Sequence, residues 1–202
     1  SASDSEASSI SYSLSGTDSG KFNIASDGTV TIGSLLDFET KQAYNVTVNA
    51  SDGTYTTSQA LTVTATNVNE APSLSSTLAA SSFAESSAVG TIIATFSASD
   101  PESSSISYSL SGTDSGKFSI ASDGTLTLAN SLDYEIKQAY SVTVNASDGT
   151  HTASQGLSIS ATNVNEAPTL SSTLVASSFP ESSVVGTTNA TSSASDSEAS
   201  SI

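Results

Sequence analysis

Residues 139–147 read Ala139-Tyr140-Ser141-Val142-Thr143-Val144-Asn145-Ala146-Ser147, with Tyr140, Val142, Val144 and Ala146 alternating with hydroxyl and amide side chains. Strict alternation puts the two sets on opposite faces of an extended chain, so this stretch is a half-buried β-strand. Working outward, the same period runs through Ile106, Tyr108 and Leu110, then Phe118 and Ile120. The turn residues Ser122-Asp123-Gly124 follow, and Leu126 and Leu128 lie beyond them. Leu157, Ile159 and Ala161 close the set, and Val89, Ile92, Ile93 and Phe96 supply a strand near its start. No stretch carries helical spacing. About seven short strands, each with one apolar face, predict an all-β fold of tandem immunoglobulin-like, antiparallel Greek-key β-sandwiches.

The tandem reading comes from a repeat. Sliding the chain by 96 residues pairs 1–96 with 97–192 without a gap, and 72 of the 96 pairs are identical. A unit of that length suits a complete small domain, not a solenoid turn. Residues 1–10 reappear as 193–202, so the sequence starts and stops at one phase within the repeat. The natural boundary is Asn-Val-Asn-Glu-Ala-Pro, at Asn67 to Pro72 and again at Asn163 to Pro168, because proline interrupts strand pairing and holds the preceding residue extended. The expected organisation is a repeat lacking its start at 1–70, a complete repeat at 71–166, and the first strands of a third at 167–202. The absence of an initiating Met, leader or membrane span reads as a fragment of a longer protein. In the third copy Ile92, Ile93 and Phe96 become Thr188, Asn189 and Ser192. Residues after about Ala176 are therefore expected to be poorly ordered or to pair irregularly.

Composition narrows the chemistry. The net charge is −16, from 20 acidic residues against four lysines and no arginine, which argues against binding a nucleic acid backbone. No cysteine is present, so disulfides and thiolate metal sites are excluded. The lone histidine, His151, has Tyr55 as its counterpart and reads as an exposed hairpin residue, not a catalytic imidazole. Carboxylate pairs that recur in every copy at module ends do not suggest a glycosidase cleft, and the chain is read as no enzyme. Asp27 and Asp123 precede glycine, and Asp18 and Asp114 lie in Gly-flanked loops, so all four read as turn residues.

The remaining acids recur in short motifs: Asp100-Pro101-Glu102, Leu132-Asp133-Tyr134-Glu135, Ala146-Ser147-Asp148 and the linker Asn163-Val164-Asn165-Glu166. Each falls where a strand ends. The linker motif belongs at one pole of a sandwich and the Asp-x-Glu and Ala-x-Asp motifs at the other, so end-to-end stacking collects oxygens from two repeats. At the second junction Glu85, Asp133, Glu135, Glu166, Asp196 and Glu198 would meet as six negative charges. Two carboxylates about 5 Å apart repel by about 3 kcal/mol at an effective dielectric near 20. A hard divalent cation relieves this, and calcium accepts many oxygen ligands in flexible geometry.

In this order and register the motifs resemble the cadherin repeat, whose marks are an early acidic residue, Leu-Asp-Arg-Glu, an Asp-x-Asn-Asp-Asn-x-Pro linker, Asp-x-Asp and Ala-x-Asp. The linker is a residue shorter than the animal pattern and resembles that of cadherin-like repeats of bacterial surface proteins, and an aromatic replaces the arginine of Leu-Asp-Arg-Glu. The resemblance implies Ca2+ at each junction. Its ligands would be Glu85, Asp133, Glu135, Asn163, Asn165 and Glu166 with Asp196 and Glu198 at the second junction. At the first they would be Asp37, Glu39, Asn67, Asn69 and Glu70 with Asp100, Glu102 and Asp148. It also implies an extracellular, cell-surface array that mediates or spaces adhesion. The partners would be neighbouring repeats, and the same protein or a surface receptor on another cell, with no membrane insertion by this segment. The weighed alternative is a metal-independent immunoglobulin-like stalk.

Overall fold

The structure, a computed structural model, describes residues 9–197. Its alternating segments become strands, and two compact units part between Glu70 and Ala71. The first unit contains β1 (Ser11–Ser15), β2 (Phe22–Ile24), β3 (Val30–Ile32), β4 (Ala43–Ser51) and β5 (Thr56–Thr64). Strands β1, β4 and β5 form one antiparallel sheet, and β2 and β3 pair separately. The second unit contains β6 (Ser73–Leu78), β7 (Ser82–Ala84), β8 (Ile92–Ser99), β9 (Ser107–Ser111), β10 (Phe118–Ile120), β11 (Thr125–Leu128), β12 (Ala139–Ser147), β13 (Thr152–Thr162), β14 (Thr169–Leu174) and β15 (Ala190–Ser195). Two four-stranded sheets, ordered β10-β11-β8-β6 and β7-β13-β12-β9, face each other in the second unit, and β14 pairs with β15.

This is the expected immunoglobulin-like sandwich, with its opening strand split in two. Strand β6 pairs with β8 in one sheet, and β7 crosses to pair with β13, in parallel, in the other. The core is what the alternation dictates: Tyr140, Val142, Val144 and Ala146 from β12 meet Ile93, Phe96, Leu126 and Leu128 from the opposite sheet, each at most 2% exposed. Each of the Val, Leu, Ile and Phe side chains contributes about 1.5–3 kcal/mol by leaving water. Val89 and Ile92 depart from the sequence pattern, being mostly exposed, because adjacent Ile92 and Ile93 face opposite sides of β8 and only Ile93 enters the core. Gly124 carries the tight approach of the β10–β11 turn to β8. Its φ is +85° and a Cβ there would stand 2.2 Å from the Phe96 carbonyl oxygen.

No strand among the described residues carries Asp, Glu, Lys or Arg; the outward positions are mainly Ser, Thr and Asn. Among the described residues, charge is thereby placed between the strands.

The expectation of irregular pairing beyond Ala176 does not hold. Strands β14 and β15 pair without a break from Thr169↔Ser195 to Leu174↔Ala190, the register of β6 with β8 shifted by one repeat. A backbone ladder needs no apolar face, and hydroxyl pairs Thr169–Ser195, Ser171–Ser193 and Ser172–Ser192 span it at 2.7–2.9 Å. The loss of Ile93 and Phe96 shows instead in burial, for every residue of both strands is exposed.

Candidate metal centre

In the second unit β7 and β13 run side by side and end together, with Ala84 opposite Thr162. Glu85 and the linker therefore leave the sandwich at one pole, and the turn leading into β12 brings Asp133 and Glu135 to the same place. Carboxylate oxygens of Glu85, Asp133 and Glu135 lie within 4.8 Å of one another. Glu85 is the buried acid of this group, 7% exposed. Its Oε2 accepts the Tyr134 N–H and its Oε1 the Val164 N–H, both at 2.7 Å. Those two amides, the Tyr134 one first, hold the Glu85 carboxyl below the ordinary glutamate value against the opposing effect of burial.

Around this trio the other residues named from the sequence are placed as follows. Asp133 Oδ1 accepts the Ile136 N–H at 2.8 Å, and Asn163 Nδ2 donates to Glu135 Oε1 at 3.3 Å. Asn165 Nδ2 donates to the Glu166 carbonyl at 3.0 Å. Glu166 Oε2 accepts from Ser197 Oγ at 3.0 Å, which brings the end of β15, and with it half-buried Asp196, to the linker. Glu198 lies outside the described residues.

At the opposite pole, about 30 Å away along nine-residue β12, Asp100 Oδ1 accepts the Ser104 N–H at 3.0 Å. Its Oδ2 is buried with no hydrogen-bond partner among the described residues. Glu102 is half-buried beside it in sequence, and Asp148, whose side chain is fully buried, accepts the Thr150 and His151 amides at 2.6 Å on Oδ1. In the first unit Asp37 accepts the Thr40 amide at 2.7 Å and its hydroxyl at 2.9 Å, which hold it below the ordinary aspartate value. Glu39, Asn67 and Glu70 are exposed, and Asn69 Nδ2 donates to the Glu70 carbonyl at 3.1 Å.

Two ion pairs, one in each unit, were not legible in the sequence. Asp114 and its counterpart Asp18 are more than turn residues, for each accepts a lysine, Lys137 at 2.6 Å and Lys41 at 2.7 Å. The remaining lysines donate to carbonyls, Lys21 to Leu35 and Lys117 to Ser131. Two ligands across one calcium ion stand about 5 Å apart, since each bond is about 2.3–2.6 Å. The trio's spacing and its all-oxygen chemistry fit such an ion, and each Glu85 oxygen keeps a second lone pair for it.

The cadherin domain family matches over residues 1–76 and 80–167. The chain belongs to the cadherin family. It is 36% identical over 148 residues to human protocadherin Fat 4, covering 68% of this chain and 3% of that protein. Against mouse cadherin-4 it is 31% identical over 166 residues, 69% of this chain and 18% of the relative. This cadherin chain thus spans a small part of the relatives it matches. Its structure is similar to protocadherin gamma B2 extracellular cadherin domains 3–6, with TM-score 0.58 and 25% identity, over 93% of this chain and 48% of that one. It is also similar to mouse cadherin-23 EC22–24, with TM-score 0.51 and 28% identity, over 79% of this chain and 56% of that one. No helix among the described residues is long and apolar enough to cross a membrane.

Proposed function

We propose that these cadherin repeats bind calcium at their poles and serve as a stiffened, non-enzymatic array of an extracellular cell-surface protein that mediates or spaces adhesion. The observation that carries this reading is the convergence of Glu85, Asp133 and Glu135 within 4.8 Å, at the pole where the linker meets the end of β15. Asn163, Asn165, Glu166, Asp196 and Glu198 are the further ligands proposed there. By the repeat, Asp37, Glu39, Asn67, Asn69 and Glu70, and likewise Asp100, Glu102 and Asp148, are proposed to ligate calcium as their counterparts do. The module limits proposed are 1–70, 71–166 and 167–202.

Bound calcium would supply positive charge to carboxylates that otherwise repel. The chain's own part is to present those oxygens from a fixed turn and a linker that Glu85 ties together. Because ions bind the aligned state and not a splayed one, uptake and stability are linked. Affinities of about 10⁻⁴–10⁻³ M, typical of extracellular modules, would fill such sites outside a cell and leave them empty in a cytosol. Partners beyond neighbouring repeats are proposed to be a second copy or a surface receptor.

Titration calorimetry of the 202-residue chain with calcium at millimolar concentration tests the reading. Heat of uptake, with a chelator-reversible rise in melting temperature, is the expected result. A second reading, a metal-independent stalk, is favoured by one observation: both Glu85 oxygens already accept backbone amides, so the pole is tied without an ion. A melting temperature indifferent to calcium decides for that stalk.

A further inference from the structure

We infer that Tyr140 is a positioning residue for the calcium centre, acting through the backbone of Asp133. The inference rests on the calcium reading above and deepens it. Tyr140 is the second residue of β12, 2% exposed, and its hydroxyl turns back to the strand's own lead-in. There it accepts the Asp133 N–H and donates to the Asp133 carbonyl, both at 2.9 Å. One hydroxyl thus fixes both polar groups of one residue, and that residue bears a carboxylate of the acidic trio.

The clamp is itself anchored. The Tyr140 ring packs in the core, and the ammonium groups of Lys117 and Lys137 stand 5.8 and 5.7 Å from its centre. Lys137 also pairs with Asp114, and its backbone N–H donates to the same Asp133 carbonyl at 2.9 Å. Removing the Tyr140 hydroxyl therefore leaves the carbonyl partnered and takes from the Asp133 N–H its acceptor among the described residues. The turn would then rotate about Asp133, and its carboxylate would wander from Glu85 and Glu135. The first unit builds the same clamp, with Tyr44 Oη at 2.8 Å from both the N–H and the carbonyl oxygen of Asp37. A hydroxyl kept on the carboxylate-bearing residue in both units fits a role in holding ligands as well as in folding.

Groups behind the ligands commonly set metal affinity by about 10–100-fold. The experiment is calorimetric calcium titration of the 202-residue chain and its Tyr140→Phe variant, with melting in chelator and amide exchange of both. The expected result is calcium affinity about 10-fold weaker, with a small loss of melting temperature in chelator. The Asp133 amide should exchange slowly in the parent and quickly in the variant. A purely structural tyrosine would lower melting and leave the dissociation constant unchanged, and that outcome overturns the inference while leaving the calcium reading intact. A parent chain that takes up no calcium overturns the reading first and this inference with it. If Tyr140→Phe does not fold, the parent's Asp133 amide decides: exchange at the rate of an open loop overturns the clamp.

Discussion

The first unit and the sandwich of the second are built from nearly the same residues, yet they bury them differently. Val46 and Val142 are each 1% exposed, but Leu128 is 1% exposed and its counterpart Ile32 is 62% exposed. Leu126 is fully buried and Val30 only partly so. The difference lies in what stands opposite. In the second unit β8 pairs with β11 and brings Ile93 and Phe96 over the core. Residues 9–70 contain no counterpart of β6, β7 or β8, and there β3 pairs only with β2. The clusters differ accordingly, with twelve buried residues in one and three in the other. An apolar residue at the right phase of a strand becomes core only when a second sheet covers it.

The two units also differ at their acidic poles. Asp37 and Asp133 make the same bonds to their tyrosines, but Asp37 is exposed and Asp133 half-buried. Glu85 makes that difference, entering from β7 to accept amides from the Asp133 turn and the linker.

The largest test of this contrast is a pair of substitutions at one repeat position. Leu128→Ala should destabilise the second unit by about 2–5 kcal/mol through a cavity, whereas Ile32→Ala should change the first by less than about 0.5 kcal/mol. Urea unfolding of each variant measures both, and equal losses would break the comparison. Next comes the turn glycine. Gly124→Ala meets the Phe96 carbonyl oxygen at 2.2 Å besides its left-handed φ, while Gly28→Ala meets the Tyr12 ring at 3.0 Å. Both carry about 1–2 kcal/mol of backbone strain. The clash with fixed backbone should make the Gly124 loss clearly larger in the same unfolding measurement.

Acid should separate the units more gently. Glu85 is depressed in the folded state, so its contribution is complete above the unfolded value of about 4.3 and is lost as pH falls through the lower folded value. Differential scanning calorimetry from pH 6 downward should show the second unit losing an increment that Glu85→Gln removes. Asp37 shifts in the same sense in the first unit and should be untouched by that substitution. The smallest effect is expected at His151, where the first unit holds Tyr55. His151→Tyr should change the unfolding free energy by less than about 0.5 kcal/mol, because hairpin residues at both positions are exposed.

Much of this was open to reading in the primary structure. The period-two runs that contain Tyr140, Val142 and Val144 yielded the strands, and the 96-residue shift yielded the tandem plan. The recurrent acids at strand ends could be grouped because strand direction sends Glu85 and the linker out at one pole. Three things escaped. Val89 and Ile92 looked like core, yet only register against β11 reveals that Ile93 alone faces inward. Asp114 looked like a turn residue because Lys137 lies 23 positions away and no local pattern joins them. Strand β15 looked set to pair irregularly because its apolar face is lost, whereas its ladder is closed by backbone and hydroxyl groups.

Alternation of polar and apolar side chains thus determined, without any fold in view, which residues of this cadherin chain form strands, which face of each is apolar, and that charge collects between them. Only the tertiary structure decided which apolar faces become core, and that Glu85 is buried with its oxygens on the Tyr134 and Val164 amides. Periodicity is set by neighbours along the chain, whereas burial and electrostatic convergence depend on residues such as Glu85 and Val164, 79 positions apart, that meet only when β7 crosses to pair with β13.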